Sequence, residues 1–143
     1  MTIRSGVILV AVDFEQASLR ALDVAKALGE QLGSEVVLVH GYQLPIYTYP
    51  GLEPALVPGF HTEVMAAARR ALAQLAESAG GLRSVLREGE PAREIIAAAE
   101  EEKASMIAMG THGRKGLSHL FLGSMAEKVV RDSLIPVLTV KLT

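Results

Sequence analysis

Two rhythms of apolar and polar residues take turns along this chain. Val7–Val12 is a continuous apolar run rich in valine, which suits a strand buried on both faces of a parallel sheet. Leu19, Leu22, Ala25, Leu28 and Leu32 then recur at helical spacing within Ala17–Leu32, and Gly33 follows as a stop. Glu35–His40 is a second apolar run. Gln43–Gly59 has no period and holds four of the six prolines, with all three tyrosines between positions 42 and 49. Irregular segments of that length in compact domains often carry function.

The helical period returns over Phe60–Ala79 and stops at Gly80-Gly81. Leu82–Arg87 reads as a short strand of mixed polarity. Pro91–Glu102 reads as a helix with proline in its first turn, where its missing N–H costs nothing. Ser105–Met109 is a fourth strand, Ser124–Asp132 a helix, and Ile135–Lys141 a fifth strand with Pro136 at its start. Strict alternation of strand and helix predicts an α/β fold with a mostly parallel sheet. No composition break or internal repeat divides residues 1–143, so a single domain is expected.

The chemistry concentrates in the loops. Gly110–Ser124 reads GTHGRKGLSHLFLGS: four glycines among His112, Arg114, Lys115 and His119, with no acid, in a chain that carries 16 acidic residues. It runs from the end of one predicted strand to the start of a helix. Glycines let backbone N–H groups approach an anion, and a helix start adds partial positive charge. Asp13-Phe14-Glu15 closes the first strand. If the first and fourth strands are neighbours, both segments line the crevice where open α/β sheets hold their ligands.

Composition removes several alternatives. There is no cysteine, which excludes disulfides, thiolate catalysis and cysteine zinc sites. The four histidines lack HExxH spacing. A net charge of -2 gives no basic footprint for nucleic acid. No apolar run approaches the ~18 residues of a membrane span, and Asp13 interrupts the first before it resembles a signal peptide, so a cytoplasmic protein is expected. The glycine loop is neither a Walker A nor a GxGxxG fingerprint, and GLSHL at 116–120 lacks the final glycine of a nucleophile elbow.

The spacing Gly110-x-x-Gly113, nine residues, Gly123-Ser124 resembles the ATP-binding signature of the universal stress protein family. VAVDF at 10–14, LVH at 38–40, GEPAREI at 89–95 and PVLTV at 136–140 extend the resemblance over essentially the whole chain. It implies one α/β domain with a five-stranded parallel sheet of order 3-2-1-4-5, helices on both faces, and a dimer. The last strand, Ile135 to Lys141, is short, apolar and β-branched and would lie at a sheet edge, so a homodimer through it is expected. The resemblance also implies an ATP site, with Mg or Mn accompanying the phosphates. Gly110, Gly113 and Gly123 would shape the loop around ribose and phosphates, and Ser124 with the backbone at Met125 would meet the phosphates. Asp13 would lie beside the nucleoside, and the backbone near His40 and Gly41 would meet the adenine edge. Ala11, Met109, His112 and Arg114 complete the expected set. The chain departs from the family pattern at Ala11 (often proline), Glu15 (often a capping Ser or Thr) and Gly41 (often branched and apolar, so a thinner adenine wall is expected).

Each candidate has a plain structural alternative. Ser124-x-x-Glu127 is a capping box that needs no ligand. Asp13 can end a strand or cap a helix. His112 reads more readily as a surface histidine than as a base, and Arg114 and Lys115 as a solvated turn. The tyrosine cluster reads as loop packing. No catalytic residue and no protein metal site is assigned, because Asp13 and Glu15 are few carboxylates for phosphoryl transfer. A nucleotide-binding stress-response regulator is the leading expectation. A slow ATPase, and an interaction module that holds no nucleotide in the cell, are the alternatives.

Overall fold

The structure is a computed structural model, and it describes residues 6–44, 59–111 and 122–142. Its elements run β1 (Val7–Ala11), α1 (Gln16–Leu32), β2 (Glu35–Tyr42), α2 (Phe60–Ser78), β3 (Arg83–Glu88), α3 (Pro91–Glu101), β4 (Met106–Gly110), α4 (Ser124–Asp132) and β5 (Val137–Val140). The sheet order is β3-β2-β1-β4-β5, and every neighbouring pair is parallel. This is the five-stranded parallel order that the resemblance implied, with the alternation that the two rhythms predicted.

Helices cover both faces. Leu9, Ala11, Val37, Val39 and Ile107 pack with Ile95 of α3 and Val129 of α4 on one face. Ile8, Val10, Val36 and Leu38 pack with Leu22 of α1 and Leu72 of α2 on the other. A strand that serves two cores must be apolar at every position, which is why β1 and β2 read as unbroken runs.

The buried face of α1 keeps Leu22 and Ala25 of the predicted stripe, with Leu28 packed against the same core, and is otherwise made of small residues. Ala17, Ser18, Ala21, Leu22, Ala25 and Gly29 face inward, while Leu19 is 36% exposed. Small residues win because α1 lies very close to β4. A Cβ at Gly110 would sit 2.7 Å from the Ala17 carbonyl carbon. The helix ends at Gly33 in the left-handed conformation, where its N–H reaches the Gly29 carbonyl.

The two sheet edges differ. At β3, Arg83 bridges Glu35 and Glu102, and Arg87 bridges Glu94 and Glu101. Such half-exposed pairs add little stability each, but they charge the edge. At β5 the surroundings are apolar, with Leu134 93% exposed and Val130 and Leu142 also exposed.

The GEP segment starts α3. Glu90 is the N-cap, and its carboxylate accepts from the Ala92 and Arg93 N–H groups, with Pro91 directly after it. Desolvation pushes this carboxyl up. The N–H bonds from Arg93 and Ala92 and the charge of Lys128, 3.5 Å away, outweigh it and hold the group below the usual range. A carboxylate lowered on folding contributes stability above its unfolded pKa and gives it up as pH falls through its folded value. Glu90→Ala is therefore expected to cost about 1 kcal/mol at neutral pH. That difference from the parent should shrink below the folded-state pKa, as read by urea unfolding at the two pH values.

Candidate functional site

Strand order reverses at β1. The chain passes from β1 to β2 on one side, and β4 enters on the other. The β1–β2 ladder ends at Ala11↔Val39 and the β1–β4 ladder at Val10↔Ala108. Both neighbours continue past that point, to Tyr42 and Gly110, so a crevice opens between them over the end of β1.

The β1 exit forms one side. Asp13 Oδ1 accepts the Glu15 N–H at 2.9 Å. Ser18 Oγ accepts from the Asp13 N–H at 3.2 Å and donates to the Glu15 carbonyl at 3.0 Å. Glu15 is the N-cap of α1 and makes no side-chain capping bond, so Asp13 and Ser18 organise that start instead. The capping alternative for Asp13 thus holds in part: one oxygen serves the turn. Asp13 Oδ2 has no hydrogen-bond partner among the described residues.

Phe14, between them, takes φ 66, the left-handed region. For a bulky side chain that costs on the order of 1–2 kcal/mol, and such strain gathers at functional sites. Its ring lies 4.8 Å from the His40 ring, tilted by 53°. No sequence pattern marks this backbone conformation, and adjacency to Asp13 is the one signal that points to Phe14.

The edge of β2 forms the opposite wall. Glu35 N–H reaches the Gly6 carbonyl, and the Val39 carbonyl accepts from Val12 N–H. Odd-numbered residues of β2 therefore turn their backbone toward β1, and Gly41 is the next of them. A continuing ladder would join the Gly41 N–H to the Val12 carbonyl. That carbonyl instead accepts from His40 Nδ1 at 2.7 Å. A carbonyl cannot donate, so Nδ1 carries the proton. Gly41 thus presents N–H and C=O side by side past the end of β1. A Cβ on it would lie 3.2 Å from the Cα of Pro91. The expected thin wall is filled from behind by the start of α3, not by a side chain at 41.

β4 and α4 form the floor and far side. Ala11 and Met109 have 2% and 0% exposure and lie in the core, so at the crevice they offer only backbone. Thr111 donates its N–H to the Val140 carbonyl, and its own carbonyl accepts from Gly123 N–H at 2.6 Å. The two ends of the glycine loop are thereby pinned together. His112, Gly113 and Arg114, with Lys115 and His119, lie outside the described residues.

Gly123 is the N-cap of α4, extended at φ -62 and ψ 158, with no side-chain capping bond. Ser124 is the first helical residue and is exposed, so the capping box read from Ser124 and Glu127 does not form. Glu127 leans the other way, toward Arg131 at 3.4 Å. The first-turn N–H groups at Ser124, Met125 and Ala126 thus start a nine-residue helix with no capping side chain among the described residues. Met125 packs against the core below. An uncapped helix start with its acid turned away suits an anion. Among the described residues no group of three or more His, Asp or Glu gathers to hold a metal ion, and no helix is long and apolar enough to cross a membrane.

Residues 5–141 match the model of the universal stress protein family. A universal stress protein from Thermus aquaticus, encoded in the QAH/OAS sulfhydrylase 3' region, is 37% identical over 135 residues, covering 94% of this chain and 97% of its own. The solved structure of MJ0577, the subject of a structure-based assignment of biochemical function, superposes with a TM-score of 0.76 at 25% identity and covers 99% of both chains. A universal stress protein solved in complex with cAMP shares the fold, with a TM-score of 0.64 at 24% identity over 96% of this chain and 97% of that one.

Proposed function

This chain belongs to the universal stress protein family, and from that premise we propose that it binds an adenine nucleotide, ATP with a divalent ion, and acts as a nucleotide-dependent regulator of a stress response. One observation carries the reading: the uncapped start of α4 and the backbone edge of Gly41 flank one crevice at the reversal of strand order. The first suits phosphate; the second suits a base that pairs one acceptor with one donor. Asp13, through Oδ2, takes a ribose hydroxyl. Gly110, His112, Gly113, Arg114, Gly123, Ser124 and the Met125 backbone surround the phosphates, with Ala11 and Met109 contributing main chain. The metal ion rides on the phosphates. A fold neighbour holding cAMP supports the reading, because it seats an adenine nucleotide on this architecture. Titration calorimetry with ATP and Mg²⁺ is expected to show saturable binding, and denaturing protein purified without added nucleotide should release an adenine nucleotide. Absence of binding at millimolar ATP would sink the proposal.

Turnover is expected to be absent or below about 1 s⁻¹, under the ordinary enzyme range. The carboxylates at the β1 exit are Asp13, half committed to its turn, and Glu15, which is exposed. Faster phosphate release would favour the ATPase reading. The protein is placed in the cytoplasm, where ATP is at hand.

The proposal includes a homodimer through the free edge of β5. Val140 is 8% exposed within one protomer, so a lysine there would disturb the fold rather than the pairing alone. The Pro136 and Val140 carbonyls face β4, which by alternation puts the amides of Val137 and Thr139 on the free edge. Thr139→Pro removes one outward donor and leaves the β4 ladder whole. It is expected to shift the protein to monomer in light scattering with little change in melting. A parent protein that is monomeric at high concentration would contradict the dimer.

A further inference from the structure

We infer that His40 is a positioning residue for base recognition: by holding the Val12 carbonyl turned toward its ring, it keeps that carbonyl off the Gly41 N–H, which stays free for a ring nitrogen of the ligand's base. The ligand half of this rests on the nucleotide reading above; the structural half does not.

Parallel strands exchange bonds in an unbroken series while both remain extended. β1 and β2 do so through Val12 N–H and the Val39 carbonyl at 2.9 Å. The next bond would run from Gly41 N–H to the Val12 carbonyl. His40 reaches across instead and takes that carbonyl at 2.7 Å through Nδ1. The ring is braced by Phe14 at 4.8 Å, a residue held in the left-handed region at φ 66. Two unusual features thus converge on one carbonyl, and their shared consequence is an amide with no acceptor among the described residues. An unpaired amide costs free energy unless something supplies an acceptor.

The chemistry of that edge is selective. One extended residue shows N–H and C=O on the same side, a donor beside an acceptor. Adenine shows the complement, a ring nitrogen acceptor beside an amino donor. Guanine's corresponding edge has a ring N–H and a carbonyl, which opposes donor to donor. Without the His40 ring, the Val12 carbonyl would capture the Gly41 N–H, and the pair would be lost while the pocket kept its shape.

The test has two arms. In the first, without nucleotide, amide exchange at Gly41 is followed by NMR. It is expected to be fast in the parent, to become protected in His40→Ala as the ladder closes, and to be fast again in His40→Asn, whose side-chain amide can donate to the same carbonyl. A protected Gly41 amide in the parent, or no gain of protection in His40→Ala, would overturn the inference whether or not any nucleotide binds. Should His40→Ala fail to fold, the parent and His40→Asn still decide: both must show a fast Gly41 amide. In the second arm, ATP and 1-deaza-ATP, which lacks one ring acceptor, are titrated. The parent should favour ATP by roughly three- to tenfold, the worth of one hydrogen bond. His40→Ala should abolish that preference and leave 1-deaza-ATP unchanged, and His40→Asn should restore it. Equal weakening of both ligands would mean that His40 acts otherwise than through Gly41. No ATP binding by the parent would fail the nucleotide reading and leave the exchange result standing on its own.

Discussion

Gly110→Ala is expected to destabilise the protein by about 3 kcal/mol, the upper end for forcing atoms into a packed site. The added Cβ would lie 2.7 Å from both the carbonyl carbon and the Cβ of Ala17, and 2.8 Å from the Ser18 nitrogen. Two of those atoms are the backbone of α1, so no side-chain rotation relieves the clash. Nor can α1 easily retreat. Ala17, Ala21 and Ala25 are 3%, 0% and 0% exposed against the sheet, and Ser18 ties the first turn to Asp13 and Glu15. Lifting α1 would open a void along β4; shifting β4 would pull on Thr111, which joins the Val140 carbonyl to Gly123. A drop in melting temperature of roughly 10 °C should follow. A variant that melts like its parent would show that α1 and β4 do not meet this closely. The first glycine of the ATP signature is thus required by packing in this chain, and loss of nucleotide binding in Gly110→Ala would not by itself identify a ligand contact.

The fold was legible where one physical demand dominates. Strands serving two cores must be apolar throughout, so Val7–Val12 and Glu35–His40 declared themselves. Helix α3 announced itself because Pro91 stands in its first turn, where a missing N–H costs nothing; that Glu90 caps it is seen only in the structure. The inward face of α1 was legible in part: Leu22 and Ala25 are buried and Leu28 packs on the core, while Leu19 is exposed and Ala17, Ala21 and Gly29 take the rest of the face. Its leucines carry the stronger hydrophobic signal, but the distance to β4 is set by Gly110, and only small residues fit that gap. A one-dimensional pattern does not contain that distance.

The candidate site was legible as a place and less so as a set of contacts. Strand order put Asp13, Gly41 and Gly123 on one crevice. The capping box failed because Ser124 lies one residue inside the helix, a shift that no spacing rule resolves and that leaves Gly123 as the cap. The sequence resemblance marks His40 only for its backbone. Its ring matters because Val12, 28 residues away, ends its ladder just where the ring can reach. Such a bond depends on register between strands, and register is not written in either strand alone.

Gly123→Val is expected to weaken ATP binding roughly a hundredfold or more, about 3 kcal/mol, while the fold survives. Gly123 does not depend on glycine's conformational range. Its φ of -62 and ψ of 158 are open to valine, so backbone strain adds nothing to the effect. Valine is a poorer N-cap, and a stability cost near 1 kcal/mol is allowed for. What glycine supplies is room. The residue sits where the chain enters α4, beside the first-turn N–H groups that would face phosphate, and a branched side chain there stands in the anion's path. Ser124→Ala gives the contrast. Ser124 is exposed and makes no capping bond, so its loss should leave melting unchanged and remove at most one hydroxyl contact from the phosphates. Melts without ligand, followed by ATP titration of each variant, separate the cases. If Gly123→Val folds and binds ATP like the parent, the α4 start is not the phosphate site, and the nucleotide reading loses its anchor.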